Sequence, residues 1–347
     1  MKKLNAKRLA ALAMTLVMLL GVLTACGDKA DTNNGSGDGE GFPTMTIQIA
    51  HVNPTTDDDQ YNKLATLFAE KVTAATDGAV TFEICGNSEL GGEADVLTGF
   101  DLGTHQMGII TNGSYGNLYG PSLVVELPFI FKDNETAWNF LDGDIMKEVT
   151  DGLYDTLGYK VLAWGEGGFR NILSQKPIRT PADLKGMKIR VPGTAADAFF
   201  SALGASTMSM PFSEVYSNLD SGMIEAAEAA LGGLYDYALH EVAKYVFLSE
   251  HSLAPACVAV SSSVWNELTP ENQKILKDAL VKYGDIYTQK CLDLNDEYRA
   301  KMEEAGVTFV EPSAEDIEAM KAAGAASFAA FPELSDGLAE KLAAAIS

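Results

Sequence analysis

Short apolar segments of strand length are separated by segments with helical spacing along most of this 347-residue chain. In the first third of the chain, the strand-like segments are 44–52, 79–85 and 106–111, and the helical ones are 57–78 and 93–103. This order is typical of an α/β domain with a largely parallel sheet. Ligands bind beyond the carboxyl ends of the strands in such sheets, which indicates Asn53, Thr111 and Asn112 as candidate binding residues.

The same order starts again in the middle of the chain. The second set comprises strands over 159–173, 187–192 and 206–211 and helices over 194–204 and 213–223. No clean linker separates the two sets, so two α/β lobes joined by continuous crossings fit the sequence better than two independent domains. We predict that lobe I comprises residues 44–166 plus 253–292 and that lobe II comprises 167–252 plus 293–347.

A long helix is predicted near the end of the chain. Thr269, Pro270 and Glu271 form a strong helix start, and no proline follows until after Ala305. At 1.5 Å per residue such a helix would be roughly 50 Å long, which exceeds the width of one domain. A coiled coil would need sustained leucines at the a and d positions, which are missing. We therefore expect one helix that spans both lobes, with a bend near Gly284.

The N-terminal segment has the pattern of a secretory signal. Four cations precede an uncharged run from Leu9 to Ala25, so residues 1–25 are predicted to be a signal peptide. Leu23-Thr24-Ala25-Cys26 resembles the bacterial lipobox, in which the cysteine is lipidated. Residues 26–43 are rich in Gly, Ser, Asn and Asp and indicate a flexible linker. The expected location is outside the cytoplasmic membrane, anchored by a lipid on Cys26.

Charge and composition exclude several classes of function. The formal net charge is −23, which argues against nucleic acid and anionic lipid as partners. If the ligand is an anion, local arginines are required to overcome this overall negative charge. The four histidines are scattered without metal-ligand spacing, and no hydrolase or nucleotide-binding motif is present. We therefore expect no metal, no cofactor and no enzymatic activity.

The cysteines form no paired motif. Cys85, Cys257 and Cys291 remain beside Cys26, and none of them lies in a CxxC sequence. Three cysteines cannot all pair, so buried free thiols are expected, and a single disulfide is the alternative outside the cell.

Arg190 stands in an apolar strand, Met187–Val191, directly before Pro192 and Gly193. Lys188 and Arg190 share one face of this strand and the apolar residues share the other. One interpretation is a solvated edge strand with both charges in water. The other is that Arg190 points into a cleft and binds an anion.

Residues 167–251 carry a family resemblance, most specifically in the block TPADLKGMKIRVP…LGA…MPFSEVYSNLDSGMIEAAE. The chain resembles the substrate-binding proteins of TRAP (tripartite ATP-independent periplasmic) transporters, the DctP-like family, over essentially its whole mature length. The resemblance implies a two-lobed periplasmic-binding-protein-like α/β fold with a ligand cleft between the lobes and a long helix crossing both. It also implies a protein that closes on its ligand and delivers it to a membrane permease.

The resemblance assigns roles to individual residues. Arg190 matches the arginine that forms a bidentate salt bridge with the ligand carboxylate, Arg170 matches a second contact, and Phe212 matches an apolar wall. Trp164 and Tyr235 could stack on a ligand or pack in the core.

The chain also departs from the family pattern. Ala229 replaces an asparagine that often contacts the ligand, which weakens the expectation of a sugar-acid substrate. Glu228 matches the family glutamate and could orient an arginine or meet a ligand hydroxyl.

We therefore expect a lipid-anchored solute-binding protein that captures a small organic acid for a TRAP permease. The alternative is a ligand-sensing lipoprotein that signals to a membrane receptor without transport.

Overall fold

The computed structural model of the chain describes residues 44–57, 59–280, 283–328 and 331, without the side chains of 166 and 283–293. The predicted signal peptide (1–25), the lipidated Cys26, the linker (26–43) and the Cys291 side chain lie outside the described residues. Within them, no helix has the length and apolar character needed to cross a membrane. Cys85 and Cys257 are buried free thiols.

The described part of the chain contains ten strands. They are β1 (Met45–Ala50), β2 (Val80–Cys85), β3 (Met107–Thr111), β4 (Lys160–Ser174), β5 (Lys188–Val191), β6 (Ser206–Ser209), β7 (Ala226–Ala230), β8 (Tyr245–Phe247), β9 (Leu253–Val260) and β10 (Thr308–Val310). The six strands that the sequence predicts are all present as β1 to β6, whereas β7 to β10 were not predicted.

Helices connect and cover these strands. They are α1 (Gln60–Ala75), α2 (Glu93–Leu102), α3 (Asn112–Gly116), α4 (Asn134–Leu141), α5 (Asp144–Leu157), α6 (Thr194–Ala202), α7 (Val215–Asp220), α8 (Leu231–Asp236), α9 (Leu239–Val242), α10 (Ser262–Trp265), α11 (Pro270–Leu280), α12 (Tyr283–Glu304) and α13 (Ala314–Ser327). The helix predicted over 213–223 is shorter, because a 3₁₀ turn over Phe212–Glu214 precedes α7.

The strands form two sheets that share β4. In the first sheet the order is β2-β1-β3-β9-β4, and in the second it is β4-β7-β5-β6 with β8 and β10 on the other side of β4. β1, β2 and β3 are parallel, as predicted, but β9 is antiparallel to both β3 and β4, so the first sheet is mixed. We call β1, β2, β3, β9 and the part of β4 up to Phe169, with the helices around them, the first half. The second half is the part of β4 from Arg170 onward with β5, β6, β7, β8, β10 and the helices around them. The fold is therefore the expected two-lobed α/β architecture.

β4 passes directly from one sheet to the other. Its residues up to Phe169 pair with β9, and its residues from Arg170 onward pair with β7. Gly168, at φ +95°, lies within an irregularity of the pairing between Glu166 and Phe169. This crossing brings the first residue of the second-sheet segment, Arg170, to the junction between the two halves.

A side-chain cap fixes the N-terminal end of α1, a helix that supports one side of that junction. Asp59 accepts a hydrogen bond from the backbone N–H of Asn62 at 2.8 Å and so caps the helix. Tyr61, Ala65, Phe68 and Val72 form the buried face of α1 against the first sheet, at the spacing expected from the sequence.

The long C-terminal helical region is helical on both sides of residues 281–282, which lie outside the described residues. α11 contacts α1 and β4, and α12 contacts α1, β4 and α8. α12 therefore packs against both halves, as the sequence predicted for a helix that spans two lobes.

Candidate ligand-binding site

A cavity of about 520 Å³ lies between the two halves. The first half contributes the carboxyl ends of β1 and β3 and the start of α2, and the second half contributes β4, β5 and the segment before α7. The residues that line the cavity include Asn53, Glu93, Thr111, Ser114, Arg170, Arg190, Phe212 and Ala229. The position agrees with the rule that α/β sheets bind ligands beyond the carboxyl ends of their strands.

Arg190 forms part of the cavity wall and is only 4% exposed. Its Nε and Nη2 atoms both donate to the backbone carbonyl of Met210, at 3.0 and 2.9 Å, and its Cζ lies 5.1 Å from the centroid of the Phe212 ring. Its Nη1 atom is buried without a hydrogen-bond partner in the described residues. Burial lowers the pKa of Arg190 to about 10, so the group stays charged at neutral pH.

The solvated edge strand is therefore the wrong interpretation of Met187–Val191. β5 lies between β7 and β6 in the second sheet, so it is not an edge strand. Lys188 is exposed whereas Arg190 is buried, although both lie on the same face of the strand. A buried guanidinium with an unused donor is costly unless a partner satisfies it, which is the condition for an anion site.

Arg170 is neutralised by a buried carboxylate. Its Nε and Nη2 atoms form a bidentate ion pair with Glu228, which is completely buried, and Nη2 also donates to the Glu228 carbonyl at 3.0 Å. Burial opposes ionisation of both groups, but their mutual attraction outweighs it. The pKa of Arg170 is consequently raised, and that of Glu228 is lowered to about 2.

His251 lies behind this ion pair. Its Nε2 atom is 3.5 Å from Oε2 of Glu228, and its Nδ1 atom is 2.8 Å from the hydroxyl of Ser249. The ring stacks on Phe199 with a centroid distance of 5.3 Å. Burial lowers the pKa of His251 below its ordinary value, so the ring is neutral at pH 7 and adds no positive charge to the site.

The first half contributes acceptors rather than cations to the cavity wall. Glu93 accepts hydrogen bonds from the backbone N–H and hydroxyl of Thr111 and from the hydroxyl of Ser114. Asp95 and Asp101 also belong to the wall. Because Arg170 is paired with Glu228, Arg190 is the one arginine in the wall without a carboxylate partner among the described residues.

Five of the residues singled out from the sequence meet in this wall: Asn53, Thr111, Arg170, Arg190 and Phe212. Glu228 lies outside the wall, where it holds Arg170 in position.

Three others point elsewhere. Trp164 is buried in the core of the first half and donates to the Thr150 hydroxyl at 2.9 Å. Asn112 is fully buried and donates to the Ser122 carbonyl at 2.8 Å. Tyr235 stacks on His240 with a centroid distance of 4.8 Å. Trp164 and Tyr235 thus adopt the packed alternative that the sequence left open. The expectation that Asn112 faces the cavity is wrong, because its side chain is buried and bonded within the first half.

Glu93 is a wall residue that sequence reasoning missed. It is the first residue of α2 and follows Gly91 and Gly92. The sequence could have indicated Glu93, because a polar residue at a helix start just beyond the strand end of β2 belongs to the ligand-binding edge of such a sheet.

The described residues contain no group of three or more side chains arranged to hold a metal ion.

The sequence of this chain matches a family model and known proteins. The family model described as bacterial extracellular solute-binding protein, family 7, matches residues 49–333. A solute-binding protein of Roseobacter denitrificans is 31% identical over 77% of this chain and 82% of its own length. The 2,3-diketo-L-gulonate-binding periplasmic protein of Escherichia coli is 29% identical over 74% of this chain and 78% of its own.

A solved structure shares the fold. The TRAP periplasmic solute-binding protein of Roseobacter denitrificans with bound L-galactonate superimposes with a TM-score of 0.80 at 29% identity. The superposition covers 88% of this chain and 99% of that protein.

Proposed function

The chain belongs to family 7 of the bacterial extracellular solute-binding proteins, the DctP-like proteins of TRAP transporters, and from this premise we propose its ligand and mode of capture. It is an extracytoplasmic binding protein and not an enzyme. In our proposal, the cavity takes a small hydroxylated monocarboxylic acid, the carboxylate pairs with Arg190, and the closed protein delivers the acid to the membrane permease.

The guanidinium of Arg190 is the observation that carries this proposal. It is buried, charged, held in orientation by the Met210 carbonyl, and retains an unpartnered Nη1 donor. A carboxylate offers a planar pair of oxygens to such a group, and a charge-assisted hydrogen bond is shorter and stronger than a neutral one. Phe212, below the guanidinium, supplies an apolar face for the adjoining carbons.

The charges of the wall favour one carboxylate per ligand. Glu93, Asp95 and Asp101 would repel a second anionic group, whereas their oxygens can accept hydrogen bonds from ligand hydroxyls. L-galactonate and 2,3-diketo-L-gulonate, the acids named for the two relatives, combine a single carboxylate with hydroxyl groups. These relatives support a sugar-acid ligand despite Ala229, because Glu93, Thr111 and Ser114 provide polar groups in the opposite wall.

We also propose that the mature protein is tethered to the membrane through a lipid on Cys26. The support is the sequence alone: an apolar signal run that ends in Leu23-Thr24-Ala25-Cys26, followed by a polar linker. A tether would keep the binding protein close to the permease, since a linker raises the effective concentration of the two partners.

A thermal-shift and calorimetry panel tests the ligand class. L-galactonate and other monocarboxylic sugar acids are compared with galactitol, which keeps the hydroxyls but has no carboxylate, and with galactarate, which has two carboxylates. A monocarboxylate at 100 times its Kd should add about 2.7 kcal/mol of apparent stability. Galactitol should add nothing, and galactarate should bind more weakly than galactonate. Stabilisation by galactitol equal to that by galactonate would refute the proposed role of the carboxylate.

Transport is tested in cells. Deletion of this chain and deletion of the permease should each abolish uptake of the radiolabelled acid, while the purified protein still binds it. A sensor lipoprotein predicts uptake that is independent of this chain.

A further inference from the structure

The two halves make a direct hydrogen bond beside the cavity. Tyr237, in the segment between α8 and α9 of the second half, donates its hydroxyl to the backbone carbonyl of Val52 at 2.6 Å. Val52 follows β1 in the first half. Tyr237 itself is not part of the cavity wall, so this contact joins the halves without using a ligand-contacting side chain.

The acceptor side of this contact is fixed to a helix. Asn53, the residue after Val52, donates its Nδ2 to Asp59 at 2.9 Å, and Asp59 caps the N-terminus of α1. The Oδ1 atom of Asn53 also lies 3.5 Å from the Tyr237 hydroxyl. The Val52 carbonyl is thus presented by a turn that α1 holds in place.

The donor side is coupled to the wall that we assign to the ligand. The ring of Tyr237 meets the ring of Phe212 edge to face, with centroids 4.6 Å apart and planes at 70°. Phe212 lies in turn under the guanidinium of Arg190. Burial, followed by the charges of Glu93 and Asp59, raises the pKa of Tyr237, so its hydroxyl remains a donor even in alkaline solution.

We propose that Tyr237 is a positioning residue that holds the cleft closed over the bound acid. This inference rests on the proposed ligand-binding function of the cavity. The bond joins one half to the other. In this proposal it is lost when the halves separate, so it stabilises the closed state relative to the open one. An interaction made only after closure slows dissociation of the ligand and leaves the association rate unchanged.

Tyr237→Phe isolates the hydroxyl, because the phenylalanine ring can still pack on Phe212. With L-galactonate as the probe, we expect the dissociation rate and Kd to rise about fivefold, which corresponds to about 1 kcal/mol for one net hydrogen bond. The association rate should not change, and the melting temperature of the unliganded protein should fall by less than that of the liganded protein. Tyr216→Phe is the control, since Tyr216 is an exposed tyrosine of the same half and should leave every value unchanged.

Two outcomes would overturn the inference. An unchanged dissociation rate in a folded Tyr237→Phe protein would mean that the hydroxyl does not hold the closed state. A fall in the unliganded melting temperature equal to that of the liganded protein would mean that the bond stabilises the fold in general and not closure.

A ligand-free measurement separates this inference from the proposed function. Spin labels at exposed Glu70 and Lys185, one in each half, report the distance between the halves by electron–electron double resonance. Tyr237→Phe should lower the closed fraction of the unliganded protein about fivefold, even if L-galactonate fails to bind. Identical distance distributions for wild type and variant would refute the role of Tyr237 regardless of the ligand.

Discussion

Replacement of Arg190 by alanine should remove most of the affinity for the acid. The side chain is 4% exposed, and its Nη1 atom is the unpartnered cationic donor in the wall. Truncation of one member of a buried charge pair costs roughly 2–5 kcal/mol, because the remaining charge stays buried without a partner. Kd should therefore rise by about thirtyfold at the lower value and by more than a thousandfold at the upper one.

Two further variants test the reasoning behind that magnitude. Arg190→Lys keeps a positive charge but loses the fork that binds both the Met210 carbonyl and the ligand, so it should also bind weakly. Arg179→Ala removes an exposed arginine outside the wall and should change Kd little.

Isothermal titration of the three variants, with folding checked by circular dichroism, measures these differences. The unliganded Arg190→Ala protein should remain folded, since relief of the desolvation that lowers the Arg190 pKa offsets part of the loss of its hydrogen bonds to Met210. Wild-type affinity in Arg190→Ala would refute the proposed carboxylate contact.

Three other perturbations give distinct results. Glu228→Gln should lower the free energy of unfolding by roughly 3–5 kcal/mol, because Arg170 is left buried and uncompensated. The lowered pKa of Glu228 means that its contribution is complete above the ordinary carboxyl pKa and is lost as the pH falls toward 2, so urea melts of the variant should lack this part of the acid dependence. Gly193→Val should hold the halves apart and raise the radius of gyration of the liganded protein in small-angle scattering, because even a Cβ there would lie 3.3 Å from the Gly113 carbonyl oxygen. An unchanged radius would contradict this. Cys26→Ser should move the protein from the membrane fraction to the soluble fraction, and a variant that stays membrane-bound would exclude the lipid anchor.

Periodicity was sufficient for the elements whose burial is one-sided. The strands around residues 45–50 and 80–85 and the face of α1 were predictable because their apolar residues alternate at the strand or helix period. β3, which is buried on both faces, was predictable as a short apolar run. β7 was not, since its sequence, Ala226-Ala227-Glu228-Ala229-Ala230, has helical propensity and is buried on both faces of the second sheet. Tertiary packing overrides local preference at that strand.

The candidate site likewise contains residues that the sequence could indicate and residues that it could not. Arg190 was a candidate because an arginine in an apolar strand before Pro-Gly is conspicuous in the sequence. The pattern alone left a solvated edge strand open, and the family resemblance favoured the binding role. The sequence left Trp164 undecided between core and ligand wall, because an aromatic residue has the same sequence appearance in both. The partner of Arg170 could not be derived from spacing, since Glu228 lies 58 residues away and reaches it only through the pairing of β4 with β7.

The shared strand β4 limits how the chain can change in length. Side chains alternate along a strand, so an insertion of one residue reverses the face of every side chain beyond it. Because β4 belongs to both sheets, one extra residue between Trp164 and Arg170 would turn Arg170 away from Glu228 and also exchange the inner and outer residues of β4 in the second sheet. Insertions or deletions of two residues, or compensation at the irregularity around Gly168, preserve the alternation. Natural variation in the length of this segment should therefore occur in even steps unless the irregularity around Gly168 absorbs the odd residue.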